Sequence, residues 1–142
     1  MRDFAKHLTA YEKLQNKVSK TNEQGAFHVF DKLRPYLATL MGTGGFRALL
    51  LRALALATAE VSWLCEVQVK ADGALEGWQD VHAKLDPDEF FEGGVVLLAQ
   101  LLGLLTAFIG EVLTLRLVRE VWPKIPLNNL DFGNGGKNEK TK

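Results

Sequence analysis

The stretch GGVVLLAQLLGLLTAFIGEV, residues 93–112, carries no charged side chain before Glu111. A run of this kind either crosses a bilayer or forms the centre of a soluble helical domain. Its uncharged part, 93–110, is close to the shortest length that spans a hydrocarbon core of about 30 Å. The run contains Gln100, and it ends at a carboxylate without an aromatic belt on both sides. These features favour a buried core helix.

A second apolar helix is predicted over residues 46–67, where alanine and leucine predominate. Arg47, Arg52 and Glu60 lie within it. Because these charges would be costly in hydrocarbon, the two apolar helices are expected to pair in a soluble core. Insertion of residues 93–112 into a membrane stays open as the alternative, since the length of the run permits it.

Glycines and prolines mark the expected ends of the helices. The sequence GTGG at 42–45 separates the second apolar helix from an earlier helical stretch. Pro87 predicts the start of the last long helix, and Pro123 predicts its end near Trp122. The same pattern permits a bend within this helix at the double glycine 93–94, and it places the core-forming part of the helix at 95–122.

The pattern as a whole predicts an all-α fold, a compact bundle of about four helices with two long apolar helices at its centre. Residues 1–24 are expected to form an amphipathic N-terminal helix and a linker. Residues 25–127 form the helical core domain, and 128–142 a flexible tail rich in Gly, Asn and Lys. Asp72 and Gly73 predict a turn that permits a short hairpin.

Composition narrows the functional classes. The chain has 142 residues, of which 47% are hydrophobic and 24% charged, as in a single globular domain. Lys and Arg equal Asp and Glu in number, so no nucleic-acid partner is expected. The single cysteine, Cys65, forms no internal disulfide, and the first residues hold no apolar run of signal-peptide type. A cytoplasmic location is therefore expected.

No catalytic or metal-binding motif is present in the sequence. His7, His28 and His82 are far apart and match no metal-ligand spacing. Cys65 is expected to be a buried, small apolar residue, because it falls in the second apolar helix. The sequence therefore predicts no catalytic residue, no metal ligand and no cofactor, and it favours a non-enzymatic protein.

One glycine-rich loop is a candidate anion site. Thr43, Gly44, Gly45 and Arg47 stand at the start of a helix, where free N–H groups and the helix dipole favour an anion. The loop lacks the spacing of a phosphate-binding loop, and no predicted strand precedes it. A tight helix–helix turn is the favoured interpretation.

Two carboxylates lie on otherwise apolar or small-residue faces of the central helices. Glu60 and Glu111 are expected to be buried there, with Arg52, Arg116 or Gln100 as partners, because an unpaired buried charge is costly. One interpretation is a polar pocket that binds a small ligand or supplies a catalytic acid. The favoured interpretation is an ion pair that sets the packing register.

Small residues occupy one face of the last long helix: Ala99, Gly103, Ala107 and Gly110. A row of this kind lets another backbone approach closely, so it is the predicted position of the tightest contact, within or between chains. Trp122 is a further candidate contact residue, because tryptophan often anchors protein interfaces.

These patterns predict a non-enzymatic helical interaction or regulatory module. More apolar surface is available on the two central helices than two short amphipathic segments cover, which favours a homo-oligomer or a protein partner. Two alternatives stay open. One is a membrane-associated protein that inserts residues 93–112, and the other is a small ligand binder or enzyme with a pocket near Glu60 and Glu111.

Overall fold

The structure is a computed structural model, and it describes residues 1–16 and 25–125. These residues form five α-helices: α1 (Arg2–Asn16), α2 (Gly25–Glu60), α3 (Trp78–His82), α4 (Pro87–Ile109) and α5 (Glu111–Val121). A 3-10 helix (Ser62–Glu66) and an antiparallel hairpin of β1 (Gln68–Val69) and β2 (Leu75–Glu76) connect α2 to α3. The predicted all-α bundle with two long apolar helices is confirmed. The predicted linker after α1 and the predicted tail lie outside the described residues.

The part of α4 that begins at Gly93 lies at the centre of the core. All residues from 93 to 98 are buried, so neighbouring elements cover α4 on every side there. Helix α4 contacts α1, α2 and α5. Helix α1 contributes Phe4 and Leu8 to the same core, and it is therefore packed against the domain that follows it. The second half of α4 is more open, and Ala107 and Phe108 are exposed.

A single glycine interrupts α2. Gly42 has φ 81° and ψ 154° inside an otherwise helical segment, a conformation that is open almost only to glycine. We call the two helical parts α2a (25–41) and α2b (43–60). The predicted break at 42–45 is confirmed, but it is a one-residue kink and not an extended turn.

Two helix boundaries farther along the chain differ from the prediction, and one agrees with it. Helix α2b ends at Glu60, and the chain continues through Val61 into the 3-10 helix instead of staying helical to 67. The predicted helix from 95 to 122 is two helices, because Gly110 has φ 92° and ψ 160°. Both glycines of the predicted bend at 93–94 lie inside α4, and the bend itself stays a prediction. The end near Trp122 is confirmed.

The turn between the two strands has the predicted chemistry. Asp72 accepts a hydrogen bond from the Ala74 N–H through Oδ1 at 3.0 Å, and this bond lowers the pKa of the Asp72 carboxyl. Gly73 has φ 89°, which favours glycine over other residues. The short hairpin that the sequence permitted is therefore present.

Substituting Gly110 tests the break between α4 and α5. The Gly110→Ala variant is expected to lose about 1–3 kcal/mol of unfolding free energy, because a Cβ strains this backbone conformation. Chemical denaturation followed by circular dichroism measures the loss. Gly44→Ala is the control, since Gly44 is exposed, lacks a positive φ and has no atom within 4 Å of an added Cβ. Undiminished stability in Gly110→Ala would mean that α4 and α5 merge without cost.

Candidate functional site

Glu60 lies at the surface where α1, α2b and α4 meet. It accepts hydrogen bonds from the Arg2 guanidinium and from Nε2 of Gln100, the latter at 3.1 Å. The hydrogen bond from Arg2 lowers the pKa of the Glu60 carboxyl, so the group stays ionised at neutral pH. The expectation that Glu60 is buried is wrong, because the end of α2b reaches the surface and leaves 42% of the side chain exposed. The expected contact with Gln100 is confirmed.

The second carboxylate does not join this cluster. Glu111 begins α5 and is exposed, so the expectation that it is buried is also wrong. Arg52 and Arg116, its expected partners, are exposed as well. Within residues 1–16 and 25–125, none of these three side chains forms a salt bridge. Glu60 and Glu111 thus share no hydrogen-bond partner in the described part of the chain.

In the glycine-rich segment at the kink, Arg47 forms a hydrogen bond to another part of the fold. Thr43, Gly44 and Gly45 are exposed, and they belong to the first turn of α2b. Arg47 donates a hydrogen bond from Nε to the carbonyl oxygen of Lys70 at 3.0 Å. This bond connects α2b to the turn between β1 and β2, and the candidate anion site stays a prediction.

The row of small residues on α4 does not form the tightest contact within the chain. Ala99 and Gly103 are half-buried, while Ala107 and Gly110 are exposed. Among residues 1–16 and 25–125, no neighbouring atom lies within 4 Å of a Cβ added at Gly103 or Gly110. The proposed role within the chain is therefore wrong, because the core lies on other sides of α4. A contact of this row with another chain stays a prediction.

A close approach to α4 is found at Gly93 instead. A Cβ added at Gly93 would lie 2.1 Å from Cζ2 of Trp63, far inside any real contact. The Trp63 ring also stacks on Phe90, with ring centroids 5.7 Å apart. The signal in the sequence was the double glycine 93–94, of which Gly93 leaves space for the indole of Trp63.

Trp122 is a core residue. It is 2% exposed, and its Nε1 donates a hydrogen bond to Oε1 of Glu12 at 2.8 Å. Lys32 approaches the same oxygen with Nζ at 2.8 Å. Trp122 therefore closes the core, and it is not available as an anchor on a free surface.

Glu12 was missed by sequence reasoning. Its side chain is fully buried, and Oε2 has no hydrogen-bond partner among the described residues. A charge in an amphipathic helix usually belongs to the solvated face, which is why Glu12 drew no attention. The available signal was spacing: Phe4, Leu8 and Glu12 recur every four residues and therefore share one face of α1.

Cys65 is exposed, and the expectation that it is buried is wrong. The reason is that α2b ends at Glu60 and places Cys65 on the 3-10 helix at the surface. Within the described ranges, no group of three or more His, Cys, Asp or Glu side chains is positioned to hold a metal ion.

An open groove of about 540 Å³ lies between α2a and α5. Its mainly apolar lining includes Tyr36 and Leu40 from α2a, Ile109 from the end of α4, and Leu113, Arg116 and Glu120 from α5. The kink at Gly42 and the break at Gly110 end the helices on either side of it. Sequence reasoning did not predict this groove.

Large apolar side chains are exposed in and beside the groove. Leu40 is 51% exposed and Leu113 is 46% exposed in its lining. Phe108 and Val112, which directly precede two lining residues, are 67% and 71% exposed. Contiguous exposed apolar surface of this kind marks contact sites in folded proteins. The groove is therefore the candidate functional site.

Two helical segments are long and apolar enough to cross a membrane on length and composition alone. They are Phe27–Glu60 in α2 and Pro87–Ile109, which is α4. The core helix of a soluble protein passes the same criterion. Half of the most apolar part of α4 is buried inside the fold, and this buried half is covered by other parts of the protein.

A comparison with protein-family models, with curated proteins and with solved structures found no match. In the groove between α2a and α5, Arg116 and Glu120 lie beside the apolar lining.

Proposed function

We propose that this protein is a non-enzymatic helical interaction module that acts by self-association through the groove between α2a and α5. The observation that supports this function best is the exposure of Leu40 and Leu113 in the groove lining. Each square ångström of apolar surface removed from water contributes about 25 cal/mol, so covering the groove provides a driving force for association. The zero formal net charge of the chain adds no long-range repulsion between copies.

The Leu113→Glu variant tests this function. In buffer without detergent, the protein is expected to form a discrete oligomer, whose mass light scattering on a sizing column measures. Leu113→Glu is expected to raise the dissociation constant at least about tenfold, because association would remove a carboxylate from water. Leu113 is half-exposed in the single chain, so the fold tolerates the change, which circular dichroism verifies.

The matched control is Leu51→Glu. Leu51 is exposed on α2b and does not line the groove, so its variant is expected to keep the mass of the unaltered protein. Equal dissociation of both variants would indicate a general effect of added charge. An unaltered oligomer in Leu113→Glu would remove the groove as the contact surface.

Membrane association is the second candidate function, favoured by the length and hydropathy of α2 and α4. In that case the protein aggregates in buffer, and detergent relieves the aggregation. It also floats with phosphatidylcholine vesicles in a density gradient. A discrete oligomer in plain buffer, without flotation, excludes this candidate in favour of self-association.

A further inference from the structure

We propose that α5 of a second copy fills the groove in an antiparallel, two-fold arrangement, in which Arg116 of each copy faces Glu120 of the other. This inference rests on the proposed self-association, and it specifies the geometry of the contact.

The charges at the groove point to this arrangement. Arg116 and Glu120 stand four residues apart on α5, both line the groove, and both are exposed. Among residues 1–16 and 25–125, neither has a salt-bridge partner. In a two-fold contact, when one residue faces a second residue of the partner copy, the partner's copy of the first residue also faces the second residue of this chain. An antiparallel α5 pair thus forms two ion pairs from one arginine and one glutamate per chain.

The apolar residues fit the same register. Leu117 lies between the two charges in the sequence and lines the groove with 9% exposure. When Arg116 faces Glu120 of the partner, the two-fold axis passes α5 at position 118, next to Leu117. Tyr36 and Leu40 on α2a then flank the incoming helix. The two ion pairs then lie within two residues of the axis, and Leu113 lies farther from it along α5.

Other occupants match the groove less well. A small organic acid that pairs with Arg116 would also meet Glu120, whose negative charge repels it. An acyl chain or a bilayer would place both charges against hydrocarbon, which is costly. The second copy is the occupant that neutralises both charges, and it brings an equal apolar surface of its own.

Charge reversal with mixing tests the geometry. Arg116→Glu and Glu120→Arg are each expected to raise the dissociation constant of the dimer at least about tenfold, because like charges then face each other. A 1:1 mixture of the two variants is expected to recover the affinity of the unaltered protein as a heterodimer. In that heterodimer every facing pair is again opposite in charge. Sedimentation velocity with one variant labelled measures both results.

The matched controls are Arg119→Glu and Glu111→Arg. Both residues are exposed on α5 and neither lines the groove, and the substitutions change the net charge by the same amounts. We expect these variants to dimerise like the unaltered protein and to show no preference for each other when mixed.

The outcomes separate this inference from the proposed function. If Leu113→Glu dissociates the oligomer while the charge-reversed variants associate normally and do not prefer each other, the antiparallel α5 geometry is overturned and self-association through the groove stands. If the unaltered protein is a monomer at all accessible concentrations, both proposals fail. Selective pairing of the two reversed variants supports both.

Discussion

Replacing Glu12 with alanine is expected to lower the free energy of unfolding by about 3 kcal/mol. The Glu12 side chain is fully buried, and its Oε1 joins three parts of the fold. It lies on α1, it pairs with Lys32 of α2a, and it accepts the indole hydrogen bond from Trp122 after α5. The substitution removes one carboxylate and leaves two donors without their acceptor.

The size of the effect follows from how those two donors are placed. Trp122 is buried, so its Nε1 loses an acceptor where water does not replace it, at a cost of about 1–3 kcal/mol. Removing one member of a buried ion pair costs about 3–5 kcal/mol when the other charge stays buried. The Lys32 side chain is 43% exposed and turns to solvent, which places the total at the lower end of that range.

Urea denaturation followed by far-UV circular dichroism measures this loss. The control is Glu60→Ala, since Glu60 also accepts a hydrogen bond from an α1 side chain, Arg2, but is half-exposed. Exposed ion pairs contribute little, because water solvates both charges when the pair is broken. Glu12→Gln is expected to fall between Glu12→Ala and the unaltered protein, because the amide oxygen still accepts from Trp122. Equal losses in Glu12→Ala and Glu60→Ala would contradict the buried role of Glu12.

Gly93→Ala is expected to destabilise the protein by about 2–3 kcal/mol, although alanine is the better helix former. The added methyl group would lie 2.1 Å from Cζ2 and 2.8 Å from Cε2 of Trp63. The indole is rigid and stacks on Phe90. The added methyl group would therefore displace the whole ring and disrupt its contact with Phe90. Overpacking of this kind outweighs the gain in helix propensity, which is about 1 kcal/mol.

Gly103→Ala is the matched control on the same helix. An added Cβ at Gly103 has no neighbour within 4 Å, so the substitution is expected to stabilise the protein by about 0.5–1 kcal/mol. In thermal unfolding, the melting temperature of Gly93→Ala should therefore lie below that of the unaltered protein, and that of Gly103→Ala above it. If Gly93→Ala is as stable as Gly103→Ala, Trp63 does not pack against α4 as described. If Gly103→Ala instead weakens the oligomer, the small-residue row of α4 contacts another chain.

Local chemistry accounts for the elements that were predicted correctly. Helices are predicted for the uninterrupted apolar run of α4 and for the alanine- and leucine-rich part of α2. Helix propensity belongs to each residue itself and needs no distant contact. Gly42 and Gly73 adopt positive φ, and Pro87 and Pro123 limit helices by their missing N–H. Residues of these kinds act through their own backbone, so the sequence shows their effect directly.

The errors share one physical cause. Gly93, Gly103 and Gly110 look alike in sequence, but one faces an indole, one faces open space and one breaks the helix. Glu12 and Glu60 both interrupt apolar faces, but only Glu12 is buried. For Gly93 and Glu12 the difference is made by residues of other helices or loops, and periodicity along one helix carries no information about those residues.

The chain sequence alone establishes an all-α bundle, two apolar central helices and most of the points where helices end, because propensity and backbone freedom are local properties. The groove between α2a and α5 is a property of packing. Residues spaced three and four apart form an apolar face whether the same chain or another molecule covers it. Only the packed helices reveal that residues 93–98 of α4 are enclosed, while Leu40 and Leu113 remain exposed in the groove.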